Sequence, residues 1–192
     1  MPLRQRTIAH LQLQRGDTVL DVACGTGLSF PLLQQAIGAE GRIMGVELSP
    51  DMLDVASRRV ADACWHNVTL IEAAAEDAVL PYEWDAALFN YTHDVLRSPG
   101  GLARLFARAR PGARVAVAGM KLASPWLFPL NLFALAKARP YMTTFEGLSQ
   151  PWSLIQSYLD RFTWHPTQFG IGFIGYGRVR TEHAMQSIAH QP

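Results

Sequence analysis

This chain of 192 residues lacks several patterns, and each gap removes a class of function. Two cysteines, Cys24 and Cys64, are too few for a disulfide framework, which fits reduced thiols and a cytoplasmic setting. No Cys-x-x-Cys pair occurs and the six histidines are scattered, so no metal site is expected. Charge of one sign is missing as well, the formal net charge being +1. Arg4, Arg6, Arg58, Arg59, Arg104, Arg108, Arg110 and Arg114 are spread out and read as solvated helix faces, not as a surface for nucleic acid. The apolar stretch 122–136 is interrupted by Pro125 and Pro129 and falls short of the roughly 20 residues of a transmembrane helix. Met1-Pro-Leu-Arg-Gln-Arg holds no apolar core of signal-peptide length. No repeat, low-complexity stretch or linker divides the chain, so one domain over 1–192 is expected.

What is present begins at residues 19–27, Val-Leu-Asp-Val-Ala-Cys-Gly-Thr-Gly. An apolar run ends in Asp21, turns at Gly25 and Gly27, and leads into a helix-compatible segment. About twenty residues on, Arg42-Ile-Met-Gly-Val ends in Glu47. Strand, glycine turn, helix and an acid closing the next strand make a nucleoside-binding βαβ unit, because glycine admits a ligand close to the main chain and a carboxylate accepts both ribose hydroxyls. Dinucleotide enzymes need a third glycine three positions after Gly27, where Phe30 stands here, followed by Pro31.

The run Leu20-Asp21-Val22-Ala23-Cys24-Gly25-Thr26-Gly27 resembles motif I of the class I S-adenosylmethionine-dependent methyltransferases, with Ala23 where that family usually has glycine. Glu47-Leu48-Ser49-Pro50-Asp51-Met52-Leu53 resembles the family's acidic second-strand end and the helix start after it. The resemblance covers roughly residues 17–120 and implies S-adenosylmethionine as donor. It implies that Asp21, Ala23, Gly25, Thr26 and Gly27 surround the methionine part, that Glu47 takes the ribose hydroxyls beside Leu48, and that Met52 packs on the adenine. Glu47 as a charge at a helix N-terminus and Met52 as ordinary core stay open. Relatives carry an Asp-Ala-Glu-Asp run after the third strand. Ala74-Ala75-Glu76-Asp77 lacks the first acid, which leaves the Ala75 amide and Glu76 for the adenine.

Periodicity predicts a helix within 3–13, strands at 17–23, 42–47, 68–71, 85–90 and 113–119, and helices at 28–38, 50–64, 99–110 and 151–160. Ser49 and Ser98 read as N-caps, each followed by proline. Met52, Leu53, Val55, Ala56, Val60 and Ala63 form the expected buried side of helix 50–64. Residues 162–169 and 171–179 alternate about Gly170 as a hairpin. The expected fold is α/β, a Rossmann-like doubly wound sheet, mostly parallel, ordered 3-2-1-4-5 by right-handed crossovers. The family's antiparallel C-terminal hairpin extends this to 3-2-1-4-5-7-6.

Strand four ends Phe89-Asn90-Tyr91-Thr92-His93-Asp94 without the two prolines of nucleobase and amide methyltransferases, which argues against DNA as substrate. Asn90 is a candidate for aligning the donor. His93 is the candidate general base, with a cap-forming loop residue as its alternative. Lys121 and Tyr141 are weaker substrate contacts. Segment 122–152, with Trp126, Phe128, Phe133, Tyr141 and Trp152, reads as an aromatic insert or lid over the acceptor pocket, and 122–139 as a candidate for transient membrane-surface contact. The expected activity is methyl transfer to an N or O atom of a small-molecule acceptor. A lipid head-group amine as acceptor, a non-catalytic donor-binding interaction domain and a nicotinamide oxidoreductase are the alternatives.

Overall fold

The computed structural model describes residues 2–122 and 147–181. Seven strands form one sheet: β1 (Thr18–Val22), β2 (Arg42–Glu47), β3 (Val68–Glu72), β4 (Trp84–Asn90), β5 (Ala109–Met120), β6 (Leu159–Thr167) and β7 (Gly172–Val179). Their order is β3-β2-β1-β4-β5-β7-β6, with β7 antiparallel between β5 and β6. The remaining pairings are parallel, so β1 to β5 end at the same edge. The chain reverses its direction of winding between β1 and β4, and ligands of such sheets sit at the carboxyl ends beside that point.

Helices α1 (Leu3–Ala9), α2 (Phe30–Ile37) and α3 (Pro50–Asp62) follow the expected order, with short α4 (His93–Leu96) and α5 (Pro99–Phe106) after β4. Ser49 and Ser98 cap as expected, accepting the Met52 and Gly101 amide protons, and a proline opens each helix. One core cluster holds Leu20, Val22, Trp84, Phe89, Leu105, Phe106 and Trp152; the other holds Ile8, Leu11, Val19, Phe30, Leu33, Ile37 and Leu88. Helix α1 lies on the second face, and just after it the His10 ring stacks on Tyr176 of β7 at 4.0 Å.

Several expectations need correction. On α3 only Leu53 and Ala56 are buried; Met52 and Val55 face solvent. The expected helix 151–160 is a run of turns and a 3₁₀ segment at Ile155–Tyr158, which leads Trp152 into the core to stack on Trp164. Helix α5 stops at Phe106, and Pro111-Gly112 lies inside β5, where the register with β4 shifts. Arg114 is no solvated helix residue: it stands on β5, pairs with Asp17 at 2.8 Å and donates to the Asp85 and Gln12 carbonyls.

Candidate donor-binding and acceptor site

At the end of β1 the chain passes through three left-handed residues, Ala23 (φ 48°), Gly25 (φ 58°) and Gly27 (φ 72°). A side chain at Gly27 is excluded twice, by its φ and because a Cβ would lie 2.7 Å from the Phe30 ring. That ring, fully buried, fills the space where a dinucleotide fold brings helix and strand together over a third glycine. Ala23 holds its left-handed conformation despite its methyl group, a local cost of about 1–2 kcal/mol. The Thr26 carbonyl accepts from Arg59 Nε at 3.0 Å, so an arginine of α3 that reads in sequence as a solvated residue fastens the turn.

Glu47 ends β2 with its carboxylate folded onto this turn. Oε2 accepts from the Gly25 amide and Oε1 from the Leu48 and Ser49 amides, all at 3.0 Å. The carboxylate thus faces the turn and also serves the amides just before α3. Asp21 is 2% exposed and its Oδ2 has no hydrogen-bond partner. Burial pushes its carboxyl up to about 7 and Glu47 adds to this, while Arg4 and a hydrogen bond from Ser29 oppose it. Burial and these two carboxylates raise the Cys24 thiol, which excludes it as a nucleophile at neutral pH. Both cysteines are free.

Beside the turn opens a cavity of about 180 Å³ lined by Glu47, Leu48, the run 73–76 and, from α4, Asp94 and Val95. Leu48, 66% exposed, and buried Ala75 stand on its wall. Glu76 reaches the cavity wall, but Oε1 accepts from the Ser98 hydroxyl, a bond that lowers its pKa. Met52, 45% exposed, is not core; its sulfur lies over Gly25, just outside the cavity lining. Asn90 ends β4 one position beyond the Val22–Phe89 pair, and its Oδ1 is buried without a partner. His93 opens α4, half-buried at the rim, while its neighbour Asp94 is the residue on the wall. Sequence reasoning missed Asp94, although an acid at the start of the helix after β4 repeats the position of Asp51 after β2.

The acceptor side is built from separate segments. Lys121 follows β5 and donates to the Leu122 and Gly170 carbonyls, its ammonium 5.8 Å from the Trp164 ring centre; burial lowers its pKa. The Tyr91 hydroxyl accepts from Gln168 at 3.4 Å, and Phe169, at the β6–β7 turn, is 93% exposed with a φ of 56°. The Leu122 amide donates to the Leu148 carbonyl, so both ends of the expected insert meet beside β5. Tyr141, Trp126, Phe128 and Phe133, and with them the lid reading, lie outside the described residues.

The two buried acceptors at Asp21 and Asn90 fit an ammonium, the apolar wall of Leu48 and Ala75 fits a flat base, and the Glu47 carboxylate faces the turn between them. Residues 19–112 match the family described as methyltransferase domain. The chain belongs to the class I S-adenosylmethionine-dependent methyltransferases. As a member of that family it is 37% identical over 78 residues to a demethylmenaquinone methyltransferase of Listeria monocytogenes, a match covering 41% of this chain and 33% of the relative. The chain thus spans about a third of the length of the curated relatives it matches. The methyltransferase fold recurs in an S-adenosylmethionine-dependent methyltransferase of Aquifex aeolicus (TM-score 0.63, 19% identity, 92% of this chain and 89% of that one). It recurs also in phosphoethanolamine N-methyltransferase 2 of Haemonchus contortus, solved with phosphomonomethylethanolamine and S-adenosylhomocysteine (TM-score 0.66, 12% identity, 91% and 52%). Among the described residues no helix is long and apolar enough to cross a membrane, and no group of three ligating side chains could hold a metal.

Proposed function

We propose that this protein methylates a small-molecule acceptor, holding S-adenosylmethionine along the carboxyl ends of β1, β2 and β4. The observation that carries the reading is the buried Asp21 carboxyl at a left-handed glycine turn, its Oδ2 without a hydrogen-bond partner, beside a cavity walled by Glu47, Leu48 and Ala75. The donor supplies a methyl group on a sulfonium, a displacement already favourable chemically. The chain's task is to bind, to aim the acceptor in line and to exclude water. Asp21 and Asn90 hold the ammonium end, Glu47 the ribose hydroxyls, and Leu48 with Ala75 the adenine. Asp94 stands near enough to the adenine slot to take the part of the acid absent at position 74. His93, at the rim after β4, removes the proton that an N–H or O–H acceptor must lose. The acceptor enters between Tyr91, Lys121 and the β6–β7 turn, the whole acting as one domain.

Calorimetry with S-adenosylhomocysteine tests the donor site, and transfer of labelled methyl to amine, hydroxyl and hydroxyarene acceptors tests the reaction. Tight product binding with transfer to an amine or hydroxyl is the expected result; transfer to a ring carbon would move the reading toward the chemistry in the Listeria relative's name. Absence of binding would remove the proposal. A second reading, an acceptor drawn from a lipid surface, is favoured by the exposed apolar side chains of Leu28, Leu48, Tyr91 and Phe169. Sedimentation with phospholipid vesicles separates the two: a protein that stays in the supernatant takes a dissolved acceptor.

A further inference from the structure

Strand β5 alternates between the two sheet faces: Val115 and Val117 pack in the cluster that holds Trp152 and Phe173, and Ala116 packs in the other. Two steps beyond Val117 stands Gly119, where a Cβ would lie 3.2 Å from the Phe173 ring. On β7 a Cβ at Gly175 would lie 2.5 Å from the Phe162 ring. These two positions without side chains let aromatic rings settle on the strands. Trp152 gathers them, with ring centres 4.4 Å from Trp164 and 4.7 Å from Phe173. Trp152 and Phe173 are buried, but Trp164 is 40% exposed, so the aromatic cluster reaches the surface as an open indole. Lys121 comes next after Gly119 on the same face, with its ammonium 5.8 Å from the centre of that indole ring. The ammonium donates to the Leu122 and Gly170 carbonyls and pairs with no carboxylate among the described residues. Arg114, near the other end of β5, has Asp17 as its counter-ion. An ammonium carries three protons, so two carbonyls hold Lys121 in place and leave one N–H and its charge for a ligand.

Resting on the methyl-transfer reading above, we propose that the acceptor is an anionic arene, whose carboxylate or phosphate binds the Lys121 ammonium while its ring lies against Trp164. The indole offers a flat apolar surface that favours a second ring, and the ammonium is a compact charge that accepts either oxyanion. Half-buried, that charge has lost part of its hydration, which an acceptor's anionic group restores. The Tyr91 amide donates to the Ala118 carbonyl at 2.7 Å, which ties this corner to the end of β4, where the acceptor must meet the methyl group. Lys121 is then the residue that selects acceptors by charge, and Trp164 the one that selects them by shape.

The test titrates the full chain, saturated with S-adenosylhomocysteine, with benzoate, phenyl phosphate and uncharged benzamide in a calorimeter. Wild type should bind one or both anions about 5- to 30-fold more tightly than benzamide, and the tighter anion identifies the oxyanion. Lys121→Gln should lose that preference and leave benzamide unchanged; Lys121→Arg should keep part of it. Trp164→Ala should weaken all three probes alike. Equal weakening of all three by Lys121→Gln would show that Lys121 only fastens the Leu122 and Gly170 carbonyls, and an undiminished preference would remove it from the site. If Lys121→Gln does not fold, wild type decides, because a preference below twofold, or no saturable binding of either anion, overturns the proposal. A chain that does not take up S-adenosylhomocysteine fails at the donor site, a separate and earlier result that removes the methyl-transfer reading and this inference with it.

Discussion

The glycine turn after β1 and the edge formed by Tyr91, Lys121 and the β6–β7 turn, the two halves of the proposed site, are constructed differently. At the turn the binding groups come from one short run, 21–27, plus the end of the neighbouring strand, and main-chain amides do much of the work. At the acceptor edge each group arrives from a different segment, and side chains meet across long separations, as Tyr91 meets Gln168 and Lys121 meets Gly170. The first arrangement is rigid and local, and the second depends on how hairpin, β5 and α4 pack together. Changes at the turn should therefore alter donor affinity, and changes at the edge should alter turnover.

The largest effect expected is at the acceptor edge. His93→Gln should lower kcat by about 10²–10⁴-fold with donor affinity nearly intact if the acceptor must lose a proton. A loss below tenfold would assign His93 to the start of α4 and leave the edge a passive surface. Next is Glu47→Ala, which should weaken S-adenosylhomocysteine by about 1.5–3 kcal/mol and also lower Tm. The second effect follows because the Gly25, Leu48 and Ser49 amides lose their acceptor. Unchanged affinity with lowered Tm would reduce Glu47 to a clamp on the turn.

A smaller effect should separate free and bound protein by pH. Asp21 has its carboxyl raised from 3.8 to about 7, so the folded chain holds this proton more tightly than the unfolded chain. The protonated form therefore favours the native state below about pH 4, and that contribution is lost as pH rises from 4 to 7. Asp21→Asn should flatten this decline in thermal unfolding of the free protein. Donor binding runs the other way, because an ammonium requires the ionised carboxylate. Affinity for S-adenosylhomocysteine should rise toward pH 7 and level off, and a pH-independent affinity would take Asp21 out of contact with the ligand. The smallest effect concerns Ala23: Ala23→Gly relieves the left-handed alanine and should stabilise the protein by about 0.5–1 kcal/mol. Tm should rise by roughly 1–4 °C without loss of donor affinity, whereas a fall would mean that the methyl group supports the turn.

The residues themselves show which parts of this site a sequence can disclose. The grouping of Asp21, Gly25, Gly27 and Glu47 was legible because the first three lie in one short run and the parallel pairing of β1 with β2 brings Glu47 beside them. Met52 was not: Met52, Leu53, Val55 and Ala56 span too wide an arc of one helix, and only packing decides that Leu53 and Ala56 face inward. Asp94 escaped notice because α4 is a single turn, too short to carry a periodic pattern, yet it swings this acid onto the cavity wall. Arg59 and Arg4 carry charge, so composition alone assigns them to solvent. Arg59 is bonded at the turn because α3 places it there, and Arg4 on α1 has its Nε buried.

By itself the sequence determined the alternation of strands and helices, the order 3-2-1-4-5 of the parallel strands, the capped helix starts at Ser49 and Ser98 and the glycine turn. These follow from period, glycine stereochemistry and crossover handedness, all of which act over a few dozen residues. Only the tertiary structure decided that Trp152 belongs to the core, that Glu76 is bonded to Ser98, and that Arg59 fastens the glycine turn. Those outcomes depend on contacts between residues far apart in sequence, where no local energy term ranks one partner above another until the sheet and its covering helices have closed.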